Sequence, residues 1–305
     1  MTHNCNGPEA AGAVPRRRIA VIFNPTAGWR RRGRLDRVLS RLDWLGCTVD
    51  LLLTEAPGHA ERLARGLGPD VDAVVVAGGD GTINEVVNGL GAAAPPLGIV
   101  PLGTANVLAL ELGLGRTTAQ IAETIVNGDR REIAIGQVNG RRFVQMVGVG
   151  ADAHIVAHVS KRIKKYAGKG AYVLSGAIGL FTYRFPRFDL VIDGERLSAT
   201  SVIVSNGRYY GGKNIVAPRA GLDRRSFEVC LMTRSGRYNA LRYGLAVFLD
   251  RLPALNDVRY ITATDVHILA PVGDPMQGDG DLVASLPADI TLLPRGFPVL
   301  VPARR

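Results

Sequence analysis

The chain has 305 residues, of which 47% are hydrophobic and 21% charged, with a formal net charge of +10. This composition suits a packed core of about two domains and excludes global disorder, and the basic balance attracts phosphates in nucleotides, nucleic acids or anionic lipids. Cys5, Cys47 and Cys230 are too few and too scattered for a disulfide framework or a zinc cluster, no apolar run is long enough to cross a membrane, and the N-terminal stretch lacks a signal-peptide core, so a reducing cytosol is expected.

Residues 1–17 read as a disordered lead-in. RIAVIF (18–23) reads as a strand ending at the turn pair Asn24-Pro25. Leu35, Val38, Leu39, Leu42 and Leu45 recur at helical spacing before Gly46. Next come a strand at 48–53, a short helix at 59–67 and a buried strand at 72–77. Residues 82–90, 104–112 and 117–127 then read as helices, with a strand at 97–100. This alternation predicts a parallel sheet covered on both faces, over residues 18–132. Beyond residue 133 the pattern turns antiparallel. Asn139-Gly140 and Asp193-Gly194 mark hairpins, and strands are expected near 198–204, 227–232, 266–269 and 290–293. One helical interruption is expected over 155–183. The tail, 297–305, is expected to return to the first domain as a strand, leaving 133–296 as a β-rich domain.

The sharpest local pattern is VVVAGGDGTINE. A buried strand ends at Gly78, Gly79 and Gly81, and a helix begins at once. Glycine lets the backbone approach a bulky anion, and the unpaired N–H groups of the first helical turn point at it. Asp80 suits Mg²⁺ rather than phosphate, and Thr82 donates a hydroxyl. An ordinary tight turn with Asp80 as helix cap is the plain alternative. A second turn, Pro101-Leu102-Gly103-Thr104-Ala105-Asn106, also follows a short strand. Turns at Asn24–Thr26 and at Thr54 end strands on the same edge, where parallel sheets bind ligands. Neither a Walker P-loop nor the dinucleotide G-x-G-x-x-G spacing is present.

In order, FNPTAG, GGDGTINEVVNGL, PLGTANVLALELGL, VGVGADA, NGRYYGGKNIVAPRAG and QGDGD resemble the diacylglycerol kinase catalytic-domain family over residues 18–302. The resemblance implies an α/β nucleotide domain, a β-sandwich and a cleft between them. It implies ATP on residues 78–84 with Asn24, Thr26, Thr54, Gly103, Thr104, Asn106 and Asn84 assisting, Mg²⁺ near Asp80, and a lipid acceptor. It places acceptor-activating acids at Asp279 and Asp281, where the family has Asp-Gly-Glu. Read alone, those acids make a solvated β-turn. Two positions depart from the family. Arg224 stands where some members hold a structural Mg²⁺ ligand, so that site is expected to be absent. Ala134 stands where an acid often precedes the domain crossover. A homodimer is the family-based expectation.

Lysines and arginines from Lys161 to Lys169, followed by Tyr172–Phe188 with its aliphatic and aromatic residues, suit an anionic membrane surface, and a solvated basic turn before a core helix is the alternative. His154 and His158 have no evident third metal ligand. The rival readings are an NAD kinase, which shares GGDGT, and a catalytically weak regulator. No helix-turn-helix, zinc or stacking motif supports a nucleic-acid partner.

Overall fold

The structure, a computed structural model, describes residues 15–28, 31–91, 93–158 and 183–303. Its first sheet is built from β1 (Arg18–Phe23), β2 (Thr48–Leu53), β3 (Ala73–Gly78), β4 (Leu97–Pro101) and β5 (Asp129–Ile133), joined by the last strand, β20 (Phe297–Val301). The order is β2-β1-β3-β4-β20-β5. All neighbours are parallel except β20 and β5.

Alternation along the strands divides two apolar layers. Val74, Val76, Leu97 and Ile99 face α3 (His59–Arg65), α4 (Asp80–Gly89) and α5 (Val107–Glu111). Val21, Phe23, Val75 and Ala77 face α2 (Arg32–Trp44) and α6 (Thr118–Asn127). A strand buried on both faces needs apolar residues at every position, as AVVVAG in β3 shows. The short α1 (Pro25–Gly28) follows β1. From β1 the chain crosses to β2 on one side and β3 on the other. The strand order therefore reverses between β1 and β3, where open α/β sheets bind ligands.

The remaining strands form two further six-stranded sheets packed face to face. One contains β6 (Gly136–Val138), β7 (Arg141–Phe143), β9 (Phe188–Ile192), β10 (Glu195–Ala199), β16 (Asp265–Ala270) and β19 (Ala288–Leu292). The other contains β8 (Met146–Val149), β11 (Ser201–Ser205), β14 (Phe227–Met232), β15 (Val258–Ala263), β17 (Pro275–Gly278) and β18 (Asp281–Ser285). Phe143, Phe188 and Phe227 lie in the core between them. A two-stranded ribbon, β12 (Tyr209–Tyr210) with β13 (Asn214–Ile215), stands apart. The helix α7 (Ala151–His158) follows β8, and α8 (Arg237–Phe248) follows β14.

Three expectations change. The helix expected over 104–112 begins only at Val107, because Asn106 sits at φ 50 in the left-handed region and cannot join it. The strand expected over 198–204 is two strands in different sheets, broken at Thr200, whose N–H and hydroxyl both bond Met232 O. The helix expected over 155–183 begins earlier, at Ala151, and residues 159–182 lie outside the described residues, as does most of the expected basic membrane segment. No helix was expected at α8 and no strand at β5, although apolar residues of α8 recur at helical spacing.

Val299 of β20 is fully buried between the domain's own strands, whereas Val272 is 78% exposed. Val299→Ala is expected to cost roughly 2 kcal/mol. Val272→Ala is expected to change stability by no more than about 0.5 kcal/mol. Urea denaturation of both variants checks the difference.

Candidate active site

The two glycine turns meet backbone to backbone. A methyl group at Gly103 would lie 2.5 Å from Gly79 Cα, and one at Gly78 would lie 2.8 Å from Thr82 Oγ1. No side chain caps α4, so the first-turn N–H groups stay available to an anion. Asn24 joins the β1 turn to this loop. Its Nδ2 donates to Thr82 Oγ1 at 3.1 Å, and its Oδ1 accepts from Thr26 N and Oγ1. Glu85, one turn along α4, accepts from Gly58 N and Ala60 N and so holds the Thr54–Gly58 wall and the start of α3.

These pieces line a cleft of about 850 Å³ between the sheet edge and the sandwich. Asn24, Thr26, Thr54, Gly79, Gly81, Thr82 and Asn84 line one side. Asp279, Asp281 and Arg141 line the other. Gly78, Gly103, Thr104 and Asn106 do not line it: Gly78 and Gly103 pack behind the loop, Thr104 is exposed, and Asn106 Nδ2 donates back to Gly103 O. Arg31 Nη1 also donates to Gly103 O, at 2.6 Å.

Three sequence-derived site residues have partners the sequence did not suggest. Asp80 does not line the cleft. Its Oδ1 accepts from Leu108 N at 3.2 Å, so it tethers α5 to α4. Asn84 gives its amide to Asp279 Oδ2 at 2.7 Å and to Arg142 O, which leaves it joining the domains rather than holding phosphate. Asp279 lines the cleft, but its carboxylate is held by the protein rather than lying in a solvated turn. It occupies a hairpin turn at φ 50, ahead of Gly280 at φ 89. Its Oδ2 accepts from Asn84 Nδ2 and Val144 N, both at 2.7 Å. Its Oδ1 accepts from Gln145 N at 2.9 Å and Met146 N at 3.0 Å. Burial pushes its carboxyl above the ordinary range, and the four donated bonds oppose that push. Four donors hold the Asp279 carboxylate in this turn. Asp281 is the acid that faces the loop: the position of a Gly81 methyl lies 3.3 Å from its Oδ2.

The departures from the family pattern also find their places. Ala134 holds the domain crossover by backbone alone, with its N–H on Leu222 O and its carbonyl accepting from Asn206 Nδ2. Glu132 pairs with Arg130 and does not line the cleft. Asp223 lies 3.7 Å from Arg131, and Arg224 is exposed beside it.

Sequence reasoning missed several residues. Arg141 is the one cation among the described cleft-lining residues, and its Nη1 also lies 3.3 Å from Glu61 Oε2. Its place directly after the Asn139-Gly140 turn was the available signal. Asn88 and Asn84, four apart on α4, both reach Arg142 O, and Arg142 N donates to Asn88 Oδ1. Asp152 accepts from Tyr210 Oη and from Gln277 Nε2, while Gln277 Oε1 accepts from Gly280 N beside the acid turn. Burial pushes the Asp152 carboxyl up.

A cleft at the switch point of a parallel sheet, with an uncapped glycine-led helix on one wall and an acid on the other, defines a nucleotide-dependent phosphotransferase. Comparison with known proteins gives the family. Residues 18–138 match the family model described as the diacylglycerol kinase catalytic domain, and residues 145–301 match the YegS C-terminal NAD kinase beta sandwich-like domain. The chain is 30% identical to a diacylglycerol kinase of Bacillus subtilis (strain 168), over 95% of this chain and 98% of that protein. It is 28% identical to a diacylglycerol kinase of Mycobacterium tuberculosis (strain ATCC 25618 / H37Rv), over 93% and 95%. A solved structure from Bacillus anthracis str. Sterne superposes with a TM-score of 0.80 at 24% identity, covering 97% of this chain and 98% of that one. The chain belongs to the diacylglycerol kinase family and is a lipid kinase. The NAD kinase alternative is not favoured.

Asp279→Asn puts an amide donor among four N–H donors and is expected to cost roughly 3 kcal/mol of stability. Asp281→Asn, at an exposed position, is expected to change stability by no more than about 0.5 kcal/mol. Thermal denaturation of the two variants side by side reads the split.

Proposed function

We propose that ATP enters the cleft and transfers its γ-phosphate to the hydroxyl of diacylglycerol or a related lipid presented at an anionic membrane surface on the cytoplasmic side. The phosphates rest on the first-turn N–H groups of α4 and the Thr82 hydroxyl, with Arg141 balancing their charge. The acceptor hydroxyl meets the γ-phosphorus from the sandwich side. Asp281 takes its proton as the new P–O bond forms, and ADP leaves with the bridging oxygen. Asp279 does not touch the reacting atoms. It holds the turn that aims Asp281, and Asn84 ties that turn to the loop carrying the nucleotide. Magnesium would travel on the nucleotide's phosphate oxygens and supply charge neutralisation there. The expected protein ligand, Asp80, does not fit that task with its carboxylate turned to α5, so no step is assigned to a metal held by it. The reading is carried by the Asp281 carboxylate of the sandwich standing against the glycine loop in the cleft, 3.3 Å from where a Gly81 methyl would lie.

Asp281→Asn is expected to lower kcat roughly a hundredfold or more while leaving ATP affinity nearly unchanged. Gly103→Ala, which forces Gly79 aside, is expected to weaken ATP binding. Labelled-ATP turnover on dispersed diacylglycerol, together with nucleotide titration, measures both effects. Full turnover in Asp281→Asn would remove the base assignment.

A further inference from the structure

The helix α8 is apolar on its outer face. Tyr238, Leu241, Leu245 and Phe248 recur at helical spacing, and Leu249 follows; all five are exposed, Tyr238 at 78% and Phe248 at 72%. Half of the ten large exposed hydrophobic residues among those described lie in these twelve positions. The inner face is ordinary core: Tyr243 and Ala246 pack with Met146, Ile203, Cys230 and Val258. A stripe of this kind on a soluble surface marks an interaction site.

We propose that the outer face of α8 lies on an anionic bilayer and docks the kinase there, an assignment that rests on the lipid-kinase reading above. Charge complementarity selects this occupant. The helix contains two arginines and no acid. Exposed Arg234, Arg237 and Arg251 border the stripe. The two nearby acids are already engaged. Asp257 accepts from Arg242 and Tyr243 and lies 3.6 Å from Arg234, and Asp250 accepts from Ile215 N. An apolar stripe edged with cations suits the boundary between headgroups and acyl chains. A second copy of this chain would oppose arginine to arginine, on a protein of net charge +10. The docked face is also close to the site in the hydrogen-bond network. Asp250 holds β13 through Ile215, the ribbon partner β12 carries Tyr210, and Tyr210 bonds Asp152, which with Gln277 reaches Gly280.

The test is co-sedimentation of the full chain with vesicles of phosphatidylglycerol or of phosphatidylcholine. The wild type is expected to bind the phosphatidylglycerol vesicles, and less so as salt is raised. Leu241→Glu with Phe248→Glu is expected to weaken that binding at least roughly tenfold. Phosphorylation of a short-chain, water-dispersed diacylglycerol is expected to stay at the wild-type rate. Arg237→Glu with Arg251→Glu, which disturbs no core residue, is expected to weaken binding roughly fivefold or more. Undiminished binding by both double variants would overturn the assignment of this face while leaving the membrane reading standing. A wild type that binds neither vesicle would overturn the membrane reading and this inference with it. A dimeric wild type whose apolar variant is monomeric with unchanged vesicle binding would assign the face to a second copy instead.

Discussion

One buried carboxylate joins the halves of this kinase. Asp279 sits in the turn between β17 and β18 and gathers N–H donors from Val144, Gln145 and Met146 within the sandwich and from Asn84 on the glycine-led helix. A carboxylate removed from water is costly unless its lone pairs are met, and here four are. That requirement fixes the turn. The turn in turn fixes Asp281, two residues on, above Gly81. Asn84 and Asn88 extend the seam by holding Arg142 of β7, and Arg142 Nη1 donates to Val87 and Leu90 carbonyls at the end of α4.

The nucleotide wall depends on a different constraint, the absence of side chains. Gly79 and Gly103 touch because neither carries a Cβ, and the space behind Gly78 is filled by Thr82. Close backbone approach brings the β3 and β4 turns into one surface, while Asn24 adds the β1 turn. Asp80 then serves the same assembly from behind, since its bond to Leu108 N sets where α5 begins. Rigid walls made this way place an anion without rearrangement, which favours phosphoryl transfer that relies on positioning and charge.

Much of the first sheet was legible because its central strands are doubly buried and read as unbroken apolar runs: 18–23 is matched to the residue, and 72–77 and 97–100 fall within one residue of β3 and β4. The hairpins at Asn139-Gly140 and Asp193-Gly194 were legible because left-handed turns demand those residue types. α8 was not anticipated: the apolar residues at helical spacing, Tyr238, Leu241, Leu245 and Phe248, are exposed, and only Tyr243 and Ala246 are buried. The break at Thr200 was hidden because the bonds that cause it come from Met232 and Arg234, more than thirty residues away.

The order of glycine turns and late acids pointed to the kind of chemistry through its resemblance to a kinase family, whereas the late acids read alone made an ordinary turn. Which acid is held by protein donors and which stands against the glycine loop was decided only by folding. Asp279 and Asp281 are chemically alike and two positions apart, so no local pattern separates them. One meets four N–H donors brought from remote strands and a helix, and the other meets the cleft. The same holds for Asp80 and Asn84, whose partners Leu108, Arg142 and Asp279 become neighbours through tertiary contact. A hydrogen bond is satisfied by geometry, and that geometry exists only after the sheet and the sandwich have come together.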